Sequence, residues 1–271
     1  MTNTLGPPSS ISVLSSVEPL SEGRRIPLFG LHITNATFPE AAGLLKGLLE
    51  RRDRARVVHF VNAHTLNLAR QDASYQRSLA RAEHLFGDGI GVRWAVRVLR
   101  GVGLRANLNG TDLVPYFLRG TADRNYRLFM LGTHERVLEA AVTAVRRNLP
   151  GWHVCGFHHG FFDGFDEWRV VERINRAEPH LLLVAMGNPK QELWIDRHLY
   201  HLDVPLSMGV GALFDYWAGK ERRAPPWMRE AGLEWLYRML FQQGKLRRYL
   251  FGNPEFLWHV AREKRRSLTT R

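Results

Sequence analysis

Short β-branched or aromatic runs alternate with segments of helical hydrophobic spacing from residue 57 to residue 210. That rhythm restricts the fold more than any other feature. Strands separated by helices of 10 to 15 residues lie parallel, and a parallel sheet needs helices over both faces. The runs 57–61, 85–86, 127–131, 152–156, 181–186 and 206–210 read as strands. Helical spacing follows over 62–82, 92–99, 111–118, 135–148, 167–177 and 191–199. Thr111 reads as an N-cap, with Pro115 in the first turn of its helix. The expectation is an α/β fold: a Rossmann-like parallel sheet with helices on both faces, plus a helical C-terminal appendage. Residues 25–215 are expected to form the α/β domain and residues 216–271 the appendage. The Ser/Pro-rich stretch 1–24 reads as a disordered tail, because it lacks the charged and apolar regions of a signal peptide.

Polar, glycine-rich blocks punctuate this alternation where strands end or helices begin. In order they are Gly87-Asp88-Gly89-Ile90-Gly91, Asn109-Gly110-Thr111-Asp112, Gly187-Asn188-Pro189-Lys190-Gln191-Glu192 and Gly209-Val210-Gly211. Arg223-Ala224-Pro225 follows. In an open α/β sheet such junctions converge on one edge, where ligands bind. Asp88, held between two glycines after a strand, is the sharpest candidate for a general base; the plain alternative is a carboxylate capping the next helix. Gly132, Gly187, Gly209 and Gly211 mark junctions whose exposed N–H groups suit phosphate, although each is also compatible with a tight turn. Gln191 and Glu192, in a first helical turn, can reach sugar hydroxyls; alternatively Glu192 simply complements the helix dipole. No GxGxxG opens the first βα unit, and no P-loop or G-x-S-x-G elbow occurs, which argues against dinucleotide, P-loop and serine-hydrolase chemistry.

A metal site is not expected. His158 and His159 are adjacent and should diverge, and Asp163 and Asp166 are three residues apart rather than in an Asp-x-Asp pair. The single cysteine, Cys155, sits in an apolar run and reads as structural. The charge is uneven. Of a net +12, the segment 220–271 holds thirteen Lys/Arg against five Glu, interleaved with Trp, Leu, Phe and Tyr. Such a segment suits an interfacial helix on anionic lipid, and equally a packed helix with a solvated basic face. No nucleic-acid motif accompanies the charge, so nucleic acid is not an expected partner. No apolar run is long enough to span a bilayer.

Taken together the blocks resemble the WecG/TagA/CpsF family of bacterial glycosyltransferases, over roughly residues 26 to 258. The most specific pieces are Phe86-Gly-Asp-Gly-Ile-Gly-Val-Arg-Trp, Asn109-Gly-Thr-Asp-Leu, His158-His-Gly-Phe, Gly187-Asn-Pro-Lys-Gln-Glu-Leu-Trp-Ile, Gly209-Val-Gly-Ala-Leu-Phe-Asp, Arg223-Ala-Pro-Pro-Trp-Met, Gly232-Leu-Glu-Trp-Leu-Tyr-Arg and Tyr249-Leu-Phe-Gly-Asn-Pro. The resemblance implies an inverting, metal-independent transferase without a cofactor, acting between a UDP-sugar donor and a polyprenyl-diphosphate-linked acceptor. It would sit peripherally on the cytoplasmic face of the bacterial inner membrane, held to anionic lipid by the appendage; a homo-oligomer is compatible with it. It implies Asp88 as the base and Gln191 as a second catalytic residue. Substrate contacts are expected from Asn62, Thr111, Asp112, Gly132, Gly187, Asn188, Glu192, Gly209 and Gly211, and from Arg222, Arg223 and Arg238 of the appendage.

Two positions depart from the family pattern. Phe60-Val-Asn62-Ala-His64 stands where Thr-x-Asn-Ala-Glu is common, and Asn107 stands where many members carry Arg, with Arg105 nearby. Asn62-Ala-His-Thr-Leu-Asn-Leu and Gly187-Asn-Pro look more like exopolysaccharide glucosyltransferases of the xanthan and acetan type. The expectation is therefore glucose transfer from UDP-glucose in exopolysaccharide synthesis. The alternatives are N-acetylmannosaminyl transfer to lipid-linked N-acetylglucosamine and a membrane-bound nucleotide-binding regulator without catalysis.

Overall fold

A computed structural model describes residues 25–241 and 246–269. The expected N-terminal tail, residues 1–24, lies outside the described residues, as do Lys245 and Arg271 of the basic segment. The chain opens with an antiparallel hairpin, β1 (Arg25–Leu28) and β2 (Leu31–Thr34), followed by α1 (Phe38–Glu50). This opening is additional to the strands read from the sequence. Its strands are only four residues each, too short for alternation to stand out. α1 starts at a capping box in which Glu40 accepts from the Thr37 N–H at 2.9 Å.

The alternation then runs through β3 (Arg56–Val61), α2 (Ala63–Gln71), α3 (Ala73–Ala80), β4 (His84–Gly87), α4 (Ile90–Arg100) and α5 (Gly110–Gly120). It continues with β5 (Tyr126–Gly132), α6 (Glu135–Asn148), β6 (Trp152–His158), α7 (Glu167–Arg176), β7 (Leu181–Ala185), α8 (Lys190–His198) and β8 (Leu206–Gly209). The appendage comprises α9 (Leu213–Trp217), α10 (Pro226–Glu230), α11 (Glu234–Phe241) and α12 (Leu246–Thr269).

The eight strands form one sheet in the order β1-β2-β4-β3-β8-β7-β5-β6. All neighbours are parallel except β1 and β2. β3 and β7 are buried along their whole length, as strands covered on both faces are; β7 reads as an unbroken apolar run, whereas β3 carries Arg56 and His59 among its apolar residues. The chain builds outward from β3 to β4 on one side and fills β5 to β8 on the other, so the order reverses beside β3. The carboxyl ends of β3, β4, β7 and β8 therefore surround a crevice of the kind that holds ligands in such sheets.

Two local readings change. The helix expected over 62–82 is broken by Asp72, whose side chain accepts from the Ser74 and Tyr75 N–H groups and so caps a second helix. The helix expected to start at Thr111 is capped two residues earlier by Asn109, whose Oδ1 accepts from the Asp112 N–H at 2.9 Å. Thr111 is thereby freed from capping.

The appendage is rooted in the α/β body. The boundary expected at 215/216 falls inside α9, whose Phe214 is fully buried in the main core. Phe256 and Val260 of α12 are buried in a second cluster with β1, β2, α2 and α4. Full burial of such side chains contributes roughly 1.5–3 kcal/mol each. The Asn67 amide also donates to the Gly252 carbonyl at 2.8 Å.

Candidate active site

Two cavities open at the carboxyl edge of the sheet, and Asp88 belongs to both. The smaller, about 70 Å³, is bounded by Thr111, Asn188, Gln191, Gly209, Gly211 and Tyr216. The larger, about 720 Å³, lies between the start of α4 and the appendage. Asn62 and Arg238 also border both.

Asp88 is held by its neighbours on the sheet edge. Its N–H donates to the Val61 carbonyl at 2.8 Å, which continues the β3–β4 ladder by one residue. Asn62 caps α2, its Oδ1 accepting from the Thr65 N–H at 3.1 Å. That bond fixes the amide so that Nδ2 faces the Asp88 carboxylate, 3.5 Å away. Gly89 adopts φ +91°, a conformation that disfavours any side chain, and its N–H donates to Asn107 Oδ1 at 2.6 Å. Asn107 thus clamps the turn that presents Asp88. Arg105 does not stand in for the arginine common at position 107. It pairs with Glu40 on the outer surface at 2.5 Å and borders neither cavity.

Gln191 and Glu192 play parts different from those expected. Gln191 is buried, and its Oε1 accepts from the N–H groups of Gly187 at 3.2 Å and Gly211 at 3.0 Å. Its Nε2 donates to Glu192 Oε1 at 2.7 Å. The amide is a strut between the turns after β7 and β8, and its polar atoms are engaged within the protein. Gly209 permits this close approach, since a Cβ there would lie 2.9 Å from Gln191 Nε2. Glu192 is fully buried, borders neither cavity, and cannot reach a substrate hydroxyl. It accepts from Asn188 Nδ2 at 2.5 Å and from the Tyr75 hydroxyl at 3.2 Å. Burial pushes its carboxyl up to about 7, against the hydrogen bonds that favour its charge. The same burial, reinforced by Glu192, raises the Tyr75 phenol.

The appendage arginines divide. Arg238 borders both cavities and lies 5.7 Å from the Tyr216 ring centroid. Arg223 stands behind it, bonded to Asp112 and, at 3.3 Å, to Glu234. Glu234 in turn accepts from Arg238 at 2.7 Å. Arg223 therefore anchors α11 to α5 without bordering either cavity, and Asp112 is its partner instead of a cavity-lining group. Burial opposes charge on Asp112, yet Arg223, Asn109 and Arg229 hold its carboxyl below the usual range.

Arg222 is exposed and borders neither cavity, and Gly132 lies on β5, beyond β7. Gly132 is needed for packing: a Cβ there would meet the Ala185 carbonyl oxygen at 2.3 Å. The His158 and His159 rings lie 4.6 Å apart rather than diverging, and His158 Nδ1 bonds to the His159 carbonyl. Sequence reasoning missed Arg93, Trp94 and Arg97 of α4, and Arg229, Trp235 and Phe256 of the appendage, all of which border the larger cavity. The polar–aromatic spacing Arg93-Trp94 with Arg97 on the next turn was the available signal.

Comparison with known proteins places this geometry in a family. Residues 26–270 match the Glycosyl transferase WecG/TagA/CpsF family. Relatives from Staphylococcus aureus strains NCTC 8325 / PS 47 and MRSA252 are 29% identical over 252 residues, covering 93% of this chain and 98% of theirs. Both are N-acetylglucosaminyldiphosphoundecaprenol N-acetyl-beta-D-mannosaminyltransferases. These names overturn the expectation of glucose transfer from UDP-glucose in exopolysaccharide synthesis. That expectation rested on two short stretches, Asn62–Leu68 and Gly187–Pro189. The structure gives Asn62 and Gly187 roles in holding turns that are independent of the donor sugar. The chain belongs to the WecG/TagA/CpsF family and is a glycosyltransferase.

Proposed function

We propose that this glycosyltransferase moves N-acetylmannosamine from a UDP donor to N-acetylglucosaminyl-diphosphoundecaprenol. The observation that carries the reading is the position of Asp88 at the junction of two cavities, in a chain matched over 93% of its length by transferases of that name. One carboxylate faces both spaces, as a base between donor and acceptor must.

Asp88 removes the proton of an acceptor hydroxyl while that oxygen attacks the anomeric carbon from the face opposite the leaving group. The new C–O bond forms as the bond to the donor phosphate breaks, and the electron pair leaves with UDP. Arg238, fixed by Glu234 and Tyr216, offers positive charge where the diphosphate departs. Asn62 Nδ2 holds the Asp88 carboxylate toward the acceptor side. No step calls on a metal or cofactor.

The appendage also supplies a membrane contact in this reading. Trp227, Phe241, Phe251 and Trp258 are each more than half exposed amid basic residues, which suits anionic lipid. Among the described residues no helix is long and apolar enough to cross a membrane.

The test is donor turnover with a short-chain N-acetylglucosaminyl-diphospholipid, offering UDP-N-acetylmannosamine or UDP-glucose with EDTA present. Transfer from the mannosamine donor alone is expected. Failure to use that donor, or dependence on an added divalent ion, would overturn the proposal.

A further inference from the structure

Two cations of the larger cavity have no assigned work. Arg93 and Arg97 stand one turn apart on α4, both are exposed, and both border the cavity. Neither makes an ion pair with any carboxylate among the described residues, in contrast to Arg223, Arg229 and Arg238 of the appendage. Beside them the wall is apolar and open: Ile90, Trp94 and Leu257 are 46%, 44% and 49% exposed. Trp235 and Phe256 complete that wall from the appendage side.

We infer that Arg93 and Arg97 bind the diphosphate of an isoprenoid-diphosphate acceptor, with the first isoprene units along Trp94, Trp235 and Leu257. The acceptor class rests on the function proposed above; the location rests on the cavity. Two guanidiniums one turn apart, each on a long flexible stem, can converge on adjacent phosphates, and their planar donors suit phosphate oxygens. Along the helix axis they lie roughly 4.5 and 10.5 Å beyond Ile90, the first residue of α4. Asp88 lines the same cavity, so in this assignment the first sugar of the acceptor lies between the carboxylate and that pair, its hydroxyl at Asp88 and its diphosphate at the arginines. An anion with a long apolar tail satisfies both the cations and the exposed tryptophan and leucine surface; a free nucleotide satisfies only the cations.

The test compares wild type with the double variant Arg93→Gln/Arg97→Gln in vesicle-free solution, using a short-chain lipid acceptor and farnesyl diphosphate as a competitor. Charge-assisted bonds of this kind carry about tenfold in affinity or more, so acceptor KM and the farnesyl diphosphate inhibition constant should both rise at least that much. The KM for the UDP-sugar should stay within about twofold, which also reports that the variant is folded. An unchanged acceptor KM, in an assay where wild type transfers sugar, overturns the assignment. So does inhibition by inorganic diphosphate as strong as that by farnesyl diphosphate. If wild type transfers nothing yet binds farnesyl diphosphate, and the double variant loses that binding, the site stands and the proposed donor or acceptor sugar falls.

Discussion

The two cavities that meet at Asp88 are built by different means. The smaller is made of strand ends, where backbone N–H groups of Gly187 and Gly211 close on the Gln191 amide and Glu192 lies buried behind it. The larger is closed by charged and apolar side chains of a helical segment added after the sheet is complete, latched in part through Asp112, Arg223 and Glu234. One wall is fixed by the core of the protein; the other is rooted at α12, and its α11 part is held by ion pairs that remain partly exposed. The difference implies that the small pocket is preformed, whereas the large one depends on the appendage staying latched. Variants on the two sides should fail in different ways.

The strongest break comes at the junction itself. Asp88→Asn keeps the shape and the Asn62 contact but removes the base, and turnover should fall by about 10²–10⁴-fold. UDP affinity, measured by calorimetry, should stay near that of the wild type. Near-normal turnover in this variant would remove Asp88 from the chemistry.

Next in size is the latch. Arg223→Ala leaves Asp112 and Glu234 without their shared guanidinium and frees α11 from α5. Donor KM should rise about tenfold, with a smaller fall in kcat, because the lost bonds to charge position Arg238 instead of reacting themselves. An Asp112→Asn/Arg223→Ala double variant should cost little more than Arg223→Ala alone, since both changes break one interaction. Additive losses would mean that Arg223 touches the donor directly.

Much of this contrast was legible in the sequence, and the illegible part has a physical cause. Strands β3, β7 and β8 and the polar blocks at their ends are local signals: a run of apolar residues, then Gly, Asn or Asp. Asp88, Asn62, Gly209 and Gly211 could be placed on one edge from those signals alone. What a given polar residue faces is a tertiary fact. Gln191 and Glu192 both have the composition of ligand contacts, yet Glu192 borders neither cavity, and Gln191, which does border the smaller one, also holds two turns because Gly209 lets the amide approach the strand. Asp112 and Arg223 are 111 positions apart, and nothing local marks them as partners. The α4 arginines look like an ordinary solvated helix face until α11 and α12 complete the cavity that they border.

The buried side of the comparison can be sharpened by titration. Glu192 has its folded carboxyl pushed up to about 7 from an ordinary 4.5. Below pH 4.5 both states hold that proton; between 4.5 and 7 only the folded state does, so its contribution is lost as pH rises through 7. His59 and His84 act oppositely. Burial lowers them to about 3 and about 4, so below 6.5 the unfolded chain takes up protons that the folded chain refuses, and stability falls with acid. Glu192→Gln keeps an oxygen to accept from Asn188 and Gln191, turns the Tyr75 contact into one that the new amide donates, and removes the titration. Melting temperatures followed from pH 5 to pH 8 should converge or cross as pH rises, with the variant gaining relative to wild type. Parallel curves would show that Glu192 stays ionised throughout.

The smallest effect is expected outside both cavities, and it tests the departure at position 107. Asn107 clamps the Gly89 N–H at the edge of the site, while Arg105 reaches outward to Glu40. If Arg105 substituted for the arginine that relatives of this family often carry, its loss would impair transfer. The geometry says otherwise. Arg105 is 43% exposed in its side chain, and exposed pairs contribute about 0.2–1 kcal/mol. Arg105→Ala should shift the melting temperature by no more than a degree or two and leave kcat and both KM values as they were. Asn107→Ala should spare the melting temperature about equally but lower kcat, because it frees the turn that aims Asp88. A loss of activity in the first variant and none in the second would reverse the assignment of these two residues.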